Sequence, residues 1–385
     1  MNAASAAPAS GAEGAAGGST RDEFIDLCRA FSLLVVVLWH WVFTIVVWRA
    51  RGPSADSPLG FTRNLWILTW VLQVMPVFFF VGGYAHMQLW LKLRGSAASF
   101  VLGRLRRLLV PSLALLGVWA AIAAVAEGVF HLYWFGRAAL LIVSPLWFIA
   151  VYLALVGLTP LAIRLHQRFG PLVVVVLAGL AALVDVLRFG QHLAWAALIN
   201  LLVVWALCHQ LGFFYRTLVD GDRIVAWCLV WGGLFGLVGL VLTTIYPPSM
   251  VGVPGDRISN MGPPTLCIVA LCFFQTGLVL LARPWVVQRL RRPGWAQLNE
   301  VVNRFALPLF LFHTTGYAIA FALLWLTGYR PPSHPTPAWW AQRPIWLVVP
   351  LLCTVPVILV FGRRLGAARR PPPAPQPAAT TESRW

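Results

Sequence analysis

Residues 22–48 read DEFIDLCRAFSLLVVVLWHWVFTIVVW. An acidic opening and Arg29 give way to an apolar run, 30–48, in which His40 is the sole ionisable side chain. A helix rises 1.5 Å per residue, so a run of this length crosses a hydrocarbon core of roughly 30 Å. Nine further runs of comparable character follow, near 65–90, 108–126, 145–165, 171–187, 193–214, 224–245, 264–282, 304–326 and 342–361. Backbone polar groups have no water partners inside lipid, and these runs are far too long for barrel strands, so they are helices. The composition agrees: 59% of the residues are hydrophobic and 11% charged, against about 25% charged in soluble domains. A chain this poor in charge cannot clothe a water-soluble surface. The fold class is an all-α, polytopic integral-membrane helical bundle of about ten transmembrane helices.

The organisation is read as three parts. Residues 1–21 are Ala-, Gly- and Ser-rich without the basic and apolar regions of a signal peptide, and are expected to form a disordered tail. Residues 22–362 form the ten-span domain, and 363–385 an Arg/Pro-rich tail. The net charge of +17 would suggest nucleic acid in a soluble protein. Here positive-inside topology accounts for it. With the N-terminus in the cytoplasm, 21 of the 29 basic residues fall on the cytoplasmic side and 8 outside. This places both termini in the cytoplasm and predicts no nucleic-acid partner. Six scattered cysteines without a CxxC pair read as small buried hydrophobes, with no disulfide or metal framework.

Few residues inside the spans can carry chemistry. Arg29 and His40 are eleven positions apart, three turns plus about 20°, and therefore share a helix face. Asp26 lies near that face one turn earlier. His40 stands roughly 16 Å above Arg29, near mid-membrane, where an ionisable group is a functional candidate and otherwise a neutral histidine bonded to a neighbouring helix. His313 follows Arg304 by nine residues and reaches a similar depth, so the two histidines either line one polar cavity or make separate structural bonds. In the second span, Pro76 and Gly82-Gly83 mark a kink or a close approach of helix or ligand, and His86 is expected at the inner headgroup level. The cluster Arg104-Leu105-Arg106-Arg107, on a segment leading into span three, can hold an anionic headgroup or cofactor phosphates, or simply orient the helix. Leu146-Trp147-Phe148 opens span four with an interfacial anchor, and Asp185 and Arg188 are spaced to pair. No P-loop, dinucleotide fingerprint or HExxH is present.

Taken in order, these segments make the chain resemble the acyltransferase-3 family of integral-membrane O-acyltransferases. The resemblance rests on Asp26, Arg29 and His40 in span one; on Phe78-Phe79-Phe80-Val81-Gly82-Gly83-Tyr84 in span two; on Arg106-Arg107 before span three; on Leu146-Trp147-Phe148; and on Phe310-Leu311-Phe312-His313 in the penultimate span. It covers roughly residues 22–362. Gly82 stands where the family usually has Ser, and no acidic residue lies deep in the last spans, so a carboxylate partner for the histidine is either missing or supplied by Asp26. The C-terminal end reads as a tail and not as the hydrolase-like domain that some members append.

The resemblance implies transfer of an acyl group from a cytoplasmic acyl-CoA, acetyl-CoA among the candidates, to a hydroxyl of a sugar, glycolipid or secondary metabolite. It implies His40 as general base, Arg29 on the thioester carbonyl or a donor phosphate with Asp26 fixing it, His313 positioning the acceptor or stabilising the oxyanion, and Arg104, Arg106 and Arg107 on the donor's phosphates. It implies no permanently bound cofactor, no metal, the bilayer and a hydroxylated carbohydrate or lipid as partners, and a bacterial cell membrane as location. The rival class is a transporter or flippase of a small amphipathic molecule, which predicts two related halves around a midplane site; no internal repeat of that kind is visible.

Overall fold

The computed structural model describes residues 22–94 and 96–367, with side chains through residue 361. Both expected tails, apart from 363–367, lie outside the described residues. Among the described residues, ten helical spans are long and apolar enough to cross a membrane; the second (Leu65–Lys92), fifth (Leu172–Gly190) and sixth (Ala194–Gly212) each include short 3-10 or π turns. Their α-helices are α1 (Glu23–Phe43), α2 (Met75–Lys92), α3 (Ala97–Gly128), α4 (Leu146–Phe169), α5 (Leu172–Asp185), α6 (Ala197–Gly212), α7 (Arg223–Leu242), α8 (Leu266–Leu290), α9 (Pro293–Leu326) and α10 (Arg343–Ala367). The all-α polytopic bundle is thus the fold. Helix α10 continues five residues past the boundary expected at 362.

Helix α1 is central and packs on α2, α9 and α10. Its first turn is capped by Asp22, whose carboxylate accepts from the amides of Phe24 and Ile25. Such a cap satisfies donors that a helix start leaves orphaned. The other Asp22 oxygen accepts from the Tyr215 hydroxyl at 3.1 Å, and Tyr215 in turn accepts from Arg283 Nε at 2.9 Å. Burial, with the Asp22 carboxylate second, pushes the Tyr215 phenol up and keeps it a donor. The α1 run ends earlier than its apolar stretch suggests. After Thr44 the chain becomes a two-stranded antiparallel hairpin, β1 (Ile45–Arg49) and β2 (Gly52–Asp56), with Val47 opposite Ser54. Ile45, Val46 and Val47 are β-branched, and a stiff χ1 favours strand once the helix is released.

The second span is broken. A short helical stretch, Leu65–Leu72, precedes α2, and the chain departs from helix at Gln73. The backbone groups freed there are met by protein: Gln275 Nε2 reaches the carbonyls of Trp70, Val71 and Gln73 at 3.0–3.3 Å. This is how a helix break is tolerated at membrane depth. Pro76 lies in the first turn of α2, where its missing N–H costs nothing, so it marks a helix start and no kink. Gly83 faces Gly212 on α6: a side chain at Gly83 would run into the His209 carbonyl, and one at Gly212 into that of Phe80. Gly83 therefore serves close packing between α2 and α6.

Asp185 and Arg188 attract one another but make no direct ion pair. Asp185 is buried and accepts from Asn200 Nδ2 (3.0 Å), the Tyr246 hydroxyl (3.1 Å) and the Leu266 amide (2.8 Å). It joins α5, α6 and the 243–265 loop to the N-terminus of α8, whose orphan amides and dipole favour an anion. The Arg188 guanidinium instead lies over the Phe189 ring.

Candidate active site

Two cavities lie along α1. The first, about 620 Å³, is bounded by α1, α2, α3, α4 and α9. Four guanidiniums line it, from Arg29, Arg104, Arg107 and Arg304, against two carboxylates, Asp26 and Glu300. The excess of positive charge suits an anionic ligand, and guanidiniums present a fork that matches phosphate. Arg104 and Arg107 are i,i+3 on α3 and share a face; Arg106 projects elsewhere, is exposed, and does not line the cavity. All three lie within α3 itself, which begins seven residues before Arg104, and not on a separate lead-in segment.

Arg29 is held from two sides. Asp26 Oδ1 stands 2.7 Å from its Nη2, and Asn303 Oδ1 accepts from the same nitrogen at 3.0 Å. Asn303 is braced by Asn299, and Asn299 donates to the Glu23 carbonyl on α1. Asn299, Glu300, Asn303 and Arg304 recur at helical spacing, so one polar face of α9 is committed to this end of α1.

Tyr152 also lines the basic cavity. Its hydroxyl lies 3.0 Å from Nε2 of His86, whose Nδ1 meets Nε2 of His209 at 2.8 Å. His86 is fully enclosed and does not sit at a headgroup surface. A Cβ at Gly82 would stand 3.0 Å from a ring carbon of Tyr152. The space beside residue 82 is filled by a phenol from α4.

The second cavity, about 600 Å³, lies toward the other end of α1. His40 lines it, together with the β1–β2 hairpin, Trp119, the 134–145 segment and the far half of α9. The walls are mainly aromatic and aliphatic with a few hydroxyls, and among the described residues that form them there is no Asp, Glu, Lys or Arg. Thus His40 and His313 do meet, but they do not line one polar cavity. His40 is half-buried in an apolar one, and His313 is fully buried behind it.

The bond between the two histidines has a direction. His313 Nδ1 faces the Phe310 carbonyl, which can only accept, so that nitrogen carries hydrogen. In neutral His313 the other nitrogen, Nε2, is then an acceptor. It lies 3.1 Å from His40 Nδ1, which therefore donates. This assigns the lone pair of His40 to Nε2, the nitrogen left outside the pair. The backbone joins in: Trp41 Nε1 donates to the His313 carbonyl at 3.0 Å, locking α1 to α9 at this level. Among the described residues no carboxylate partners His40. Asp26, about four turns away, is engaged by Arg29, and the partner of His40 is a second imidazole.

Phe148 and Phe310 separate the cavities. Phe148 lines the basic one, and Phe310 stands edge-on to it at 5.4 Å and against His313 at 5.6 Å. A family model described as an acyltransferase domain, the acyltransferase-3 model, matches residues 22–295. The chain belongs to the acyltransferase-3 family. Ten apolar helices and this membership make it an integral-membrane acyltransferase. No curated protein and no solved structure matches the chain. The family match ends before His313, so the imidazole paired with His40 comes from a segment beyond the matched residues.

Of the residues the sequence pointed to, Asp26, Arg29, Arg104 and Arg107 line the basic cavity and His40 the apolar one, whereas His313 lies behind His40 and Arg106 lies off the basic cavity. Asn299, Asn303, Glu300, Tyr152 and His209 went unnoticed. The helical spacing of the four polar residues 299, 300, 303 and 304 was the available signal for the α9 group. For Tyr152 and His209, nothing local distinguishes a site residue from an ordinary packing one.

Proposed function

We propose that this acyltransferase moves an acyl group from acyl-CoA to a hydroxyl, with the donor's phosphates in the basic cavity and the acceptor's hydroxyl at His40. The observation that carries this reading is the placement of Arg29 and His40 on one face of α1, each opening into a different chamber. The 21-to-8 distribution of basic residues supports putting the basic end in the cytoplasm, where acyl-CoA is made, in a bacterial cell membrane.

Arg104 and Arg107 would bind phosphate oxygens, joined by Arg29. Arg29 and His40 are separated by roughly 16 Å of helix rise. Arg29 therefore serves the phosphate or pantetheine part of the donor and not the oxyanion beside His40. The thioester would reach His40 past the Phe148–Phe310 partition. His40 Nε2 takes the proton of the acceptor hydroxyl, and the oxygen attacks the thioester carbonyl. When the tetrahedral intermediate collapses, the C–S bond breaks. The CoA thiolate leaves and recovers the proton from His40, giving an ester and free CoA. His313 holds His40 in the tautomer this requires, and so acts as a positioning residue. Acetyl-CoA is the smallest donor that fits this scheme.

The test is release of free CoA and formation of acyl ester by purified protein given acetyl-CoA or longer acyl-CoAs and a lipid and polysaccharide extract. Ester formation that needs both His40 and Arg107 is expected. Absence of CoA release with every donor, in protein shown to be folded, overturns the reading.

A further inference from the structure

The chamber that His40 lines says what kind of acceptor the protein takes. In an acyl transfer the base must lie within hydrogen-bond reach of the proton it removes. The cavity containing His40 is therefore the acceptor's, a step that rests on the function proposed above. Its chemistry is one-sided. Trp48 stands edge-on to Trp134 at 4.9 Å and faces Trp325 at 6.4 Å, and Phe321 stacks on Trp325 at 5.9 Å. Polar atoms are few, and some are already engaged. The Ser144 hydroxyl donates to the Leu141 carbonyl, and that of Tyr317 to the Thr44 carbonyl. The Trp119 indole donates to Thr315.

A sugar ring carries several hydroxyls, and each one buried without a partner is penalised. These walls meet little of that demand: besides His40 their hydroxyls are those of Thr44, Ser54, Ser144, Thr314 and Tyr317, and Ser144 and Tyr317 already donate to backbone carbonyls. The walls can enclose an apolar body of drug-like size and leave one hydroxyl facing His40. The rim supports the same occupant. Trp48, Ile319 and Leu326 line the cavity and are exposed, Leu326 by 81%, so the mouth is itself apolar. Arg330 lies 3.6 Å over the Trp325 ring, setting a cation at the far end of the aromatic wall. A ligand dissolved in the bilayer meets this opening without crossing water.

We propose that the acceptor is an apolar alcohol, one reactive hydroxyl on a largely hydrocarbon body, entering the His40 cavity from the membrane. A free polysaccharide or soluble sugar is disfavoured by the same walls. A linear chain and a compact ring system both present that chemistry, and the competitors below separate them.

The test uses full-length protein in lipid nanodiscs and a decanol bearing a photoreactive diazirine. Saturable labelling is expected within residues 134–145 and 314–326, competed by decan-1-ol or by borneol and not by methyl glucoside. Stronger competition by decan-1-ol marks a lipid-like acceptor, and by borneol a compact metabolite. In parallel, ester formation from acetyl-CoA is measured with decan-1-ol, borneol and methyl glucoside. Ala138→Trp and Ala318→Trp, on opposite walls, should raise the half-saturation for the alcohol at least tenfold and leave that for acetyl-CoA unchanged. Competed labelling without ester formation keeps the apolar-alcohol cavity and sinks the acyl-transfer reading. Transfer to methyl glucoside with uncompeted labelling sinks the cavity assignment and keeps the acyl-transfer reading. Labelling that never saturates shows only bilayer contact and also overturns the cavity assignment.

Discussion

The two chambers along α1 are nearly equal in volume, about 620 and about 600 Å³, and opposite in chemistry. One carries four arginines; the other has no Asp, Glu, Lys or Arg in its walls. Size alone would not tell them apart. On the function proposed above, the first chamber would take a phosphate-rich ligand and the second an apolar one, with one helix contributing Arg29 to the first and His40 to the second. Charge near a membrane end is inexpensive, whereas an imidazole at depth needs a partner, which His313 supplies.

The largest expected effect comes from removing the group that faces the apolar chamber. His40→Ala should lower kcat by about 10²–10⁴ with the donor's half-saturation unchanged, read from initial rates of CoA release. Near-normal turnover would make the two chambers chemically independent. Next, Arg107→Gln and Arg104→Gln should raise the donor's half-saturation by about 10- to 150-fold, the range given by a hydrogen bond to a charged group of roughly 1.5–3 kcal/mol at 1.4 kcal/mol per decade. Lysine should restore only part, because a point charge cannot reproduce the fork. An unchanged donor affinity in both would remove phosphate from the basic chamber.

His313→Ala leaves His40 Nδ1 without its acceptor. Losing that partner should cost about 1–3 kcal/mol and appear as a fall in kcat with both half-saturations retained. His313→Gln, whose amide oxygen can accept, should recover much of it. Failure of Gln to do better than Ala would reduce the pair to packing. A smaller change follows from Asn303→Ala, since Asp26 still holds Arg29: about three- to tenfold in donor half-saturation, below the full value of a charge-assisted bond. The smallest is Arg106→Gln. It lies off the cavity face, so donor kinetics should match the parent protein. A donor defect equal to that of Arg107→Gln would show that the whole basic cluster, and not one face of α3, meets the ligand.

Spans, and therefore class, were legible because lipid imposes a length and an apolar composition on every crossing helix. The shared face of Arg29 and His40 was legible for a similar reason: both lie on one unbroken helix, where angle and rise follow from residue count. Boundaries were less so. The apolar run through Trp48 does not reveal that Thr44 ends the helix, because strand and helix both accept β-branched apolar residues. Pro76 suggested a kink, yet the break falls at Gln73, a position set by Gln275 from another helix.

What the sequence determined by itself is what depends on neighbours along the chain: the ten crossings, the rise and shared face from Arg29 to His40, and the i,i+3 spacing that puts Arg104 and Arg107 on one face. What only the tertiary structure decided is every relation between helices. That His40 donates to His313, that His86 is sealed against His209, and that Asn303 from α9 aims Arg29 all join residues more than a hundred positions apart. Helix packing in a bundle is set by side-chain shape and by the few polar bonds available between helices, and neither can be read from spacing on one helix. The division of the interior into a charged and an apolar chamber belongs to the same category, because each wall is assembled from several helices that carry no mark of the cavity they face.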